Sequence, residues 1–134
     1  MSQKLQFQVL LLPNAPWAEL AQRFRHVEEL GFDLVATADH FVDWRNPHIP
    51  WLEGWTTLAA VARETSRINI ATYVTQIPFR NPAMLARQAL TVDQISNGRL
   101  VVGIGTGLIE DRAYDMIGIP NWSYPERGAR LKEY

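Results

Sequence analysis

A carboxylate and an imidazole stand side by side directly after one apolar segment of the chain. Asp39 and His40 follow residues 32–37, which are apolar enough to form a strand buried on both faces. In parallel α/β proteins the carboxyl ends of the strands are where chemistry is located. A histidine titrates close enough to neutral pH to exchange protons there. His40 is therefore the candidate proton-transferring residue, with Asp39 beside it.

A second candidate site is glycine-rich and ends another predicted strand. Residues 103–107 read Gly-Ile-Gly-Thr-Gly. Glycines let a backbone approach a flat ring or a phosphate closely, and Thr106 adds a hydroxyl. The glycine spacing is not that of the dinucleotide fingerprint, which also needs an acidic partner further on.

Alternating β and α segments must position both sites. Strands are predicted at 5–12, 32–37, 68–74 and 99–104, and helices at about 16–30, 55–64, 82–96, 111–117 and 125–134. Asn81 is a predicted helix cap with Pro82 at the first helical position. No hairpin signal separates the strands, so they are expected to be parallel with right-handed crossovers. Two α/β architectures fit, namely half of a (β/α)8 TIM barrel or an open flavodoxin-like sheet.

Composition sets the outer bounds on function. The 134 residues make one domain, 1–134, and no apolar run is long enough to cross a membrane. A net charge of −1 gives no reason to expect nucleic acid or a membrane as a partner. The absence of cysteine excludes thiolate metal sites, and no metal site is predicted. The amino terminus has no signal-peptide pattern, so a cytoplasmic protein is the default expectation.

Seven short segments carry a family resemblance. In order along the chain they are residues 28–33, 38–41, 53–58, 65–68, 79–83, 92–99 and 103–107. Together they resemble the N-terminal half of luciferase-like oxidoreductases, the barrel family of bacterial luciferase and its flavin- and deazaflavin-dependent relatives. The resemblance implies a monooxygenase or dehydrogenase that uses reduced FMN or coenzyme F420. Its reaction would be hydride transfer or oxygen activation on a small organic substrate.

The same resemblance assigns roles to residues. It implies that His40 is catalytic, facing the reactive ring, and that Asp39 orients it or binds the cofactor. It places a substrate contact at Trp44 and a cis peptide bond at 73–74. The cofactor-binding residues that it implies are Asp39, Tyr73, Val74, Thr75, Gly105, Thr106 and Gly107.

One position departs from the family pattern. Some deazaflavin sugar-phosphate dehydrogenases carry a glutamate as catalytic acid directly after the glycine-rich segment, where this chain has Leu108. Glu110 and Asp111 follow two and three residues later and need not reach the same point. This departure weighs against sugar-phosphate dehydrogenation.

Four β-α units alone would leave two sheet edges and the barrel interior open. We therefore expect either a piece of a longer enzyme or a chain that completes its core by self-association as a homo-oligomer. A non-catalytic self-associating half-barrel, or a flavin-binding module, is the alternative to an enzyme. A flavodoxin-like signalling module is weaker, because receiver-type domains need acidic residues at several strand ends and only Asp39 fits.

Overall fold

The computed structural model describes residues 5–43 and 45–134, and it consists of a parallel sheet with helices in the crossovers. In chain order the elements are β1 (Gln8–Leu11), α1 (Trp17–Glu29), β2 (Leu34–Asp39), α2 (Gly54–Glu64), β3 (Asn69–Gln76), a short 3-10 helix (Ile77–Phe79), α3 (Pro82–Ser96), β4 (Leu100–Gly105), α4 (Ala113–Ile117) and α5 (Tyr124–Leu131). All three strand pairs are parallel.

The strand order distinguishes between the two predicted architectures. Each strand is hydrogen-bonded to the next one along the chain, in the order β1-β2-β3-β4. A flavodoxin-like sheet reverses its order after the first strand, whereas a (β/α)8 barrel adds strands in sequence. The half-barrel prediction is confirmed and the open-sheet alternative is not.

One face of the sheet carries the core. Val35 and Ile70 pack against α2 side chains, among them Trp55 and Leu58, and all four are almost completely buried. The opposite face, which lines the interior in a closed barrel, exposes apolar side chains. Leu10 is 46% exposed, Tyr73 57% and Val101 45%. The faces differ because successive side chains along a strand point to opposite sides of the sheet.

The two central strands run further than their apolar segments predicted. β2 ends at Asp39 and β3 at Gln76, each two residues beyond the predicted strand end. Asp39 pairs with Thr75 after a register shift in the ladder, so polar residues extend the sheet into the site. Helix α3 begins as predicted, because the Asn81 side chain accepts hydrogen bonds from the amides of Ala83 and Met84.

Two charged side chains stabilise the amino-terminal end of the sheet. The Glu28 carboxylate accepts hydrogen bonds from the amides of Ser66, Arg67 and Ile68. Arg99 donates to the Ala62 and Ile68 carbonyl oxygens, each at 2.8 Å. Both residues lie in segments that carried the resemblance, yet at the end of the sheet opposite His40. Their role here is structural.

Candidate functional site

His40 lies at the carboxyl end of β2 with its ring fixed from two sides. Its Nδ1 is 3.1 Å from the Asp111 Oδ2 atom. The Trp51 indole donates a 2.7 Å hydrogen bond to the His40 carbonyl oxygen, and the two rings meet edge to face at 6.2 Å. The side chain is 21% exposed, whereas that of Asp111 is 2% exposed. Asp111 and Trp51 therefore fix the position of His40, while part of its ring stays accessible.

The hydrogen bonds around Nδ1 define which nitrogen of His40 is available. Burial raises the pKa of Asp111, but hydrogen bonds from His40, the Ala113 amide and Gln76 outweigh it, so the pKa lies below its ordinary value. Two groups lie within hydrogen-bond distance of Nδ1, namely the Asp111 Oδ2 atom, an acceptor, and the Gln76 amide nitrogen, a donor. Because a hydrogen bond to an ionised carboxylate is stronger than one from a neutral amide, we assign the Nδ1–H tautomer to His40. The Gln76 amide nitrogen, 2.9 Å from Nδ1, donates to the Asp39 carbonyl oxygen and to Asp111. Within the described residues no hydrogen bond is made by Nε2 of His40, so in this tautomer Nε2 is the nitrogen that can accept one.

Asp39 was predicted to orient His40 or to bind the cofactor. Its side chain pairs with Arg80 instead of His40, and cofactor binding by Asp39 stays a prediction. Its carboxylate makes a bidentate pair with Arg80, at 3.0 Å from Nε and 2.5 Å from Nη2. The same Nη2 also donates to Glu53 at 2.6 Å. Burial raises the pKa of Asp39, and Arg80 opposes that rise. Asp39 thus fixes the loop after β3 to the end of β2, and Asp111 takes the role expected of it.

A cavity of about 320 Å³, which we call the strand-end cavity, opens between the ends of β3 and β4. It brings together most of the residues predicted to face the cofactor. The peptide bond between Tyr73 and Val74 is cis, as predicted. The lining residues are His40, Tyr73, Val74, Gln76, Gly105, Thr106, Gly107 and Leu108.

Thr75 is not among the residues that line this cavity. It is completely buried, and its hydroxyl accepts a 2.9 Å hydrogen bond from the Trp55 indole. Successive residues of a strand point to opposite faces, and Thr75 points to the helix side. Its side chain secures α2 to the sheet rather than facing the cavity.

The glycines of the 103–107 segment are required by packing within the chain. A Cβ atom on Gly103 would overlap the Thr72 carbonyl oxygen, and one on Gly105 would overlap the Val74 side chain. Gly107 has φ +79°, and a Cβ there would lie 2.8 Å from the Gln76 Oε1 atom and 2.9 Å from an Arg127 nitrogen. The glycines were predicted to let a ring or a phosphate approach the backbone closely. In the structure, atoms of β3 approach them closely.

Behind the cavity wall lies a buried cation. Arg127 of α5 is 1% exposed and donates to the Thr106 carbonyl oxygen at 2.6 Å. The same nitrogen donates to the Tyr114 hydroxyl at 3.1 Å, and that hydroxyl lies 3.4 Å from the Gln76 Oε1 atom. Burial raises the pKa of Tyr114. Hydrogen bonds thus connect α5 to His40 through Tyr114, Gln76 and Asp111.

A second cavity, of about 450 Å³, lies on the other side of His40. We call it the aromatic cavity. Of the residues that the structure describes, His40 alone lines both cavities. Trp44, the predicted substrate contact, lies outside the described residues. The lining residues are Asp39, His40, Phe41, Trp51, Glu53, Phe79, Arg80 and Ile117.

Sequence reasoning missed Gln76, Arg80, Asp111 and Arg127. Arg80 lies within one of the segments that carried the resemblance, and Gln76 follows the predicted third strand by two residues, so position along the chain could have indicated both. Asp111 and Arg127 are brought to the site by the loop after β4 and by α5. No local pattern marks either of them.

Other kinds of site are not seen in the described ranges. No helix of residues 5–43 and 45–134 is long and apolar enough to cross a membrane. No group of three or more histidines and carboxylates within those ranges could hold a metal ion.

Known proteins that are similar to this chain include F420-dependent enzymes and monooxygenases. An F420-dependent glucose-6-phosphate dehydrogenase from Amycolatopsis mediterranei is 38% identical over 121 residues, which make up 86% of this chain and 34% of the relative. An F420-dependent tetrahydromethanopterin reductase from Methanopyrus kandleri superimposes with a TM-score of 0.73 at 27% identity, over 88% of this chain and 31% of that one. A monooxygenase from Streptomyces bottropensis gives 0.78 at 29% identity, over 96% and 40%.

The chain spans about a third of the length of the curated relatives it matches. The profile of the family described as luciferase-like monooxygenase matches residues 3–134, almost the entire chain. The chain therefore belongs to the luciferase-like monooxygenase family.

Proposed function

We propose that this chain forms the histidine side of an F420-dependent dehydrogenase site, with the deazaflavin ring in the strand-end cavity. The observation that carries the proposal is that His40 lines that cavity, with Nδ1 bonded to Asp111 and no partner for Nε2 among the described residues. The sequence relatives named as F420-dependent dehydrogenases support F420 over FMN.

The residues of the cavity fit a flat ring. Gly105 and Gly107 keep side chains out of its wall, while Tyr73 and Val74 present apolar surface. The lining includes neither lysine nor arginine, so the ring, and not a phosphate tail, is what these residues would hold. When bound, the deazaflavin supplies the two-electron acceptor for a hydride.

His40 would act as the general base. Its Nε2 accepts the proton of a substrate hydroxyl, and the Asp111 carboxylate stabilises the imidazolium that forms. Because His40 lines both cavities, a substrate in the aromatic cavity reaches the same nitrogen. Phe41, Trp51 and Phe79 give that cavity an apolar wall, which suits a small organic alcohol.

Single-turnover reduction of F420 tests this proposal. The chain is mixed with F420 and a panel of secondary alcohols and glucose 6-phosphate, and loss of the oxidised absorbance is followed. His40→Ala is expected to reduce the rate by about 100-fold or more. His26→Ala is the control, since His26 lies on the exposed surface of α1. Equal rates for His40→Ala and the wild type would refute the role of His40.

An FMN-dependent monooxygenase is the second candidate. It is favoured by the likeness to the Streptomyces bottropensis monooxygenase. Oxygen consumption with reduced FMN and an organic substrate, in the absence of any F420 reduction, would replace the first proposal by this one.

We also propose that residues 1–134 act as one partial-barrel domain whose open sheet face is covered by a second copy. The exposed Leu10, Tyr73 and Val101 side chains on that face support this arrangement. Sedimentation velocity tests it, because a dimer is expected and a concentration-independent monomer would contradict it.

A further inference from the structure

Arg127 carries a positive charge into the protein without a carboxylate to balance it. Its four hydrogen-bond acceptors are all neutral, namely the carbonyl oxygens of Thr106 and Trp122, the Asn121 side-chain oxygen and the Tyr114 hydroxyl. Among residues 5–43 and 45–134, no carboxylate makes an ion pair with it. A buried charge is costly unless it is paired, so such an arginine calls for an anionic partner.

The position of the charge indicates where that partner binds. Arg127 Nη1 is 2.6 Å from the Thr106 carbonyl oxygen, and Thr106 and Gly107 form part of the strand-end cavity wall. The nearby carboxylate of Asp111 is already bonded to His40 and the Ala113 amide. The charge of Arg127 is therefore separated from the cavity by one peptide unit.

That peptide unit transmits the charge to the cavity. In a planar trans peptide the C=O and the next N–H point in opposite directions. Because the Thr106 carbonyl points at Arg127, the Gly107 amide points away from Arg127, and Gly107 itself lines the strand-end cavity. No acceptor for this amide is found in the described part of the chain. A cation behind a carbonyl strengthens the donor at the other end of the same peptide.

We propose that Arg127 is a positioning residue that makes the strand-end cavity selective for a ring carrying negative charge, with the Gly107 amide as the hydrogen-bond donor to it. Arg127 does not touch the ligand. It acts through the Thr106–Gly107 peptide and through its electric field.

This inference rests on the proposed function and adds a preference between redox forms. Charge near the pyrimidine ring of a flavin is one of the ways in which a protein tunes it. Oxidised FMN has a neutral ring, whereas reduced FMN readily loses a proton from the pyrimidine side and becomes an anion. The cavity should therefore bind reduced FMN more tightly than oxidised FMN. The FMN phosphate is common to both forms and cancels from the ratio of the two dissociation constants.

The test is anaerobic equilibrium titration of the chain with oxidised and with reduced FMN, which needs no turnover. The wild type is expected to bind the reduced form about tenfold more tightly, which is the order of effect expected of one partly screened charge near the cavity. Arg127→Met is expected to abolish this preference. The midpoint potential of FMN bound to the variant would then be about 30 mV lower than that of FMN bound to the wild type, for a two-electron couple. Arg127→Lys is expected to retain most of the preference, because it keeps the charge.

Arg130→Met is the matched control. Arg130 lies three residues further along α5, is partly exposed, pairs with Glu126 and lies over the Trp122 ring. Its loss removes one positive charge from the same helix and is expected to leave the ratio unchanged. If the Arg127 variants do not fold, the wild-type ratio still decides, since equal affinity for both forms overturns the inference.

The outcomes separate this inference from the proposed function. Binding of both FMN forms with a ratio that Arg127→Met does not change overturns the inference alone. Failure to bind either FMN form overturns it too, while the proposed function is decided separately by F420 reduction. F420 reduction that depends on His40, together with a ratio that falls in Arg127→Met, supports both.

Discussion

Replacing Asp111 by asparagine should switch the tautomer of His40. In the wild type, Asp111 Oδ2 lies 3.1 Å from Nδ1 while Oδ1 accepts the Ala113 amide at 2.9 Å. In Asp111→Asn the side-chain oxygen keeps the Ala113 bond, so its NH2 group faces Nδ1. Both neighbours of Nδ1, the new amide and the Gln76 amide 2.9 Å away, are then donors, so Nδ1 is expected to become the acceptor. The proton moves to Nε2, and the free base is lost.

The magnitude follows from the bond that is broken. A hydrogen bond to a buried carboxylate contributes about 1.5–3 kcal/mol, and the lower figure applies because the His40 side chain is 21% exposed. About 1.5 kcal/mol corresponds to a roughly tenfold preference for the Nδ1–H tautomer in the wild type. The preference is expected to reverse in the variant.

Long-range proton–nitrogen correlation spectra of the labelled chain distinguish the two tautomers directly. His26 and His48 serve as internal references, since both are outside the site. Asp115→Asn is the matched control, because Asp115 is an exposed carboxylate on α4. A wild-type His40 in the Nε2–H form, or one whose tautomer Asp111→Asn leaves unchanged, would refute the reasoning.

Three further predictions concern packing and stability, and chemical unfolding measures each of them. Gly105→Ala is expected to destabilise the chain by about 1–3 kcal/mol, because the new methyl group overlaps the Val74 side chain. Adding Val74→Ala should recover most of that loss. No recovery in the double variant would contradict the packing account. Thr75→Val leaves the buried Trp55 indole without an acceptor and should lower the free energy of unfolding by about 1–3 kcal/mol without changing cofactor affinity. A large loss of affinity would show instead that Thr75 contributes to cofactor binding. At Glu28, burial raises the pKa but three backbone amides outweigh it, so its stabilisation is present above the unfolded-state pKa and is lost as pH falls through the folded-state pKa. Glu28→Gln should therefore cost about 1–3 kcal/mol at neutral pH and little in acid, and an equal cost at both would oppose this assignment.

The sequence brings together residues that line one cavity but not the groups that surround them. His40, Tyr73, Val74 and Gly105 lie in the last part of a strand or directly after it, so periodicity and the family pattern could predict that they are neighbours, while their roles stay predictions. Asp39 was expected to orient its neighbour His40. Adjacent residues at a strand end point to opposite faces, however, so its carboxylate turns toward Arg80 and away from the imidazole.

The missed residues reach the site through tertiary structure. Asp111 is 71 positions from His40, and Arg127 is 21 positions from Thr106. Neither contact has a local signal, because the loop after β4 and the placement of α5 determine it. Periodicity left the barrel and the open sheet equally possible for a related reason, since strand order is a property of long-range pairing.

The central claim is that a flavin-type ring binds between the ends of β3 and β4, beneath His40. The most direct measurement is an amide chemical-shift titration of the labelled chain with F420 and, separately, with FMN. Saturable shifts are expected at Tyr73, Val74 and residues 105–108. Shifts confined to the groove between α2 and α3, around Met84 and Gln88, or no saturable shift with either compound, would contradict the claim.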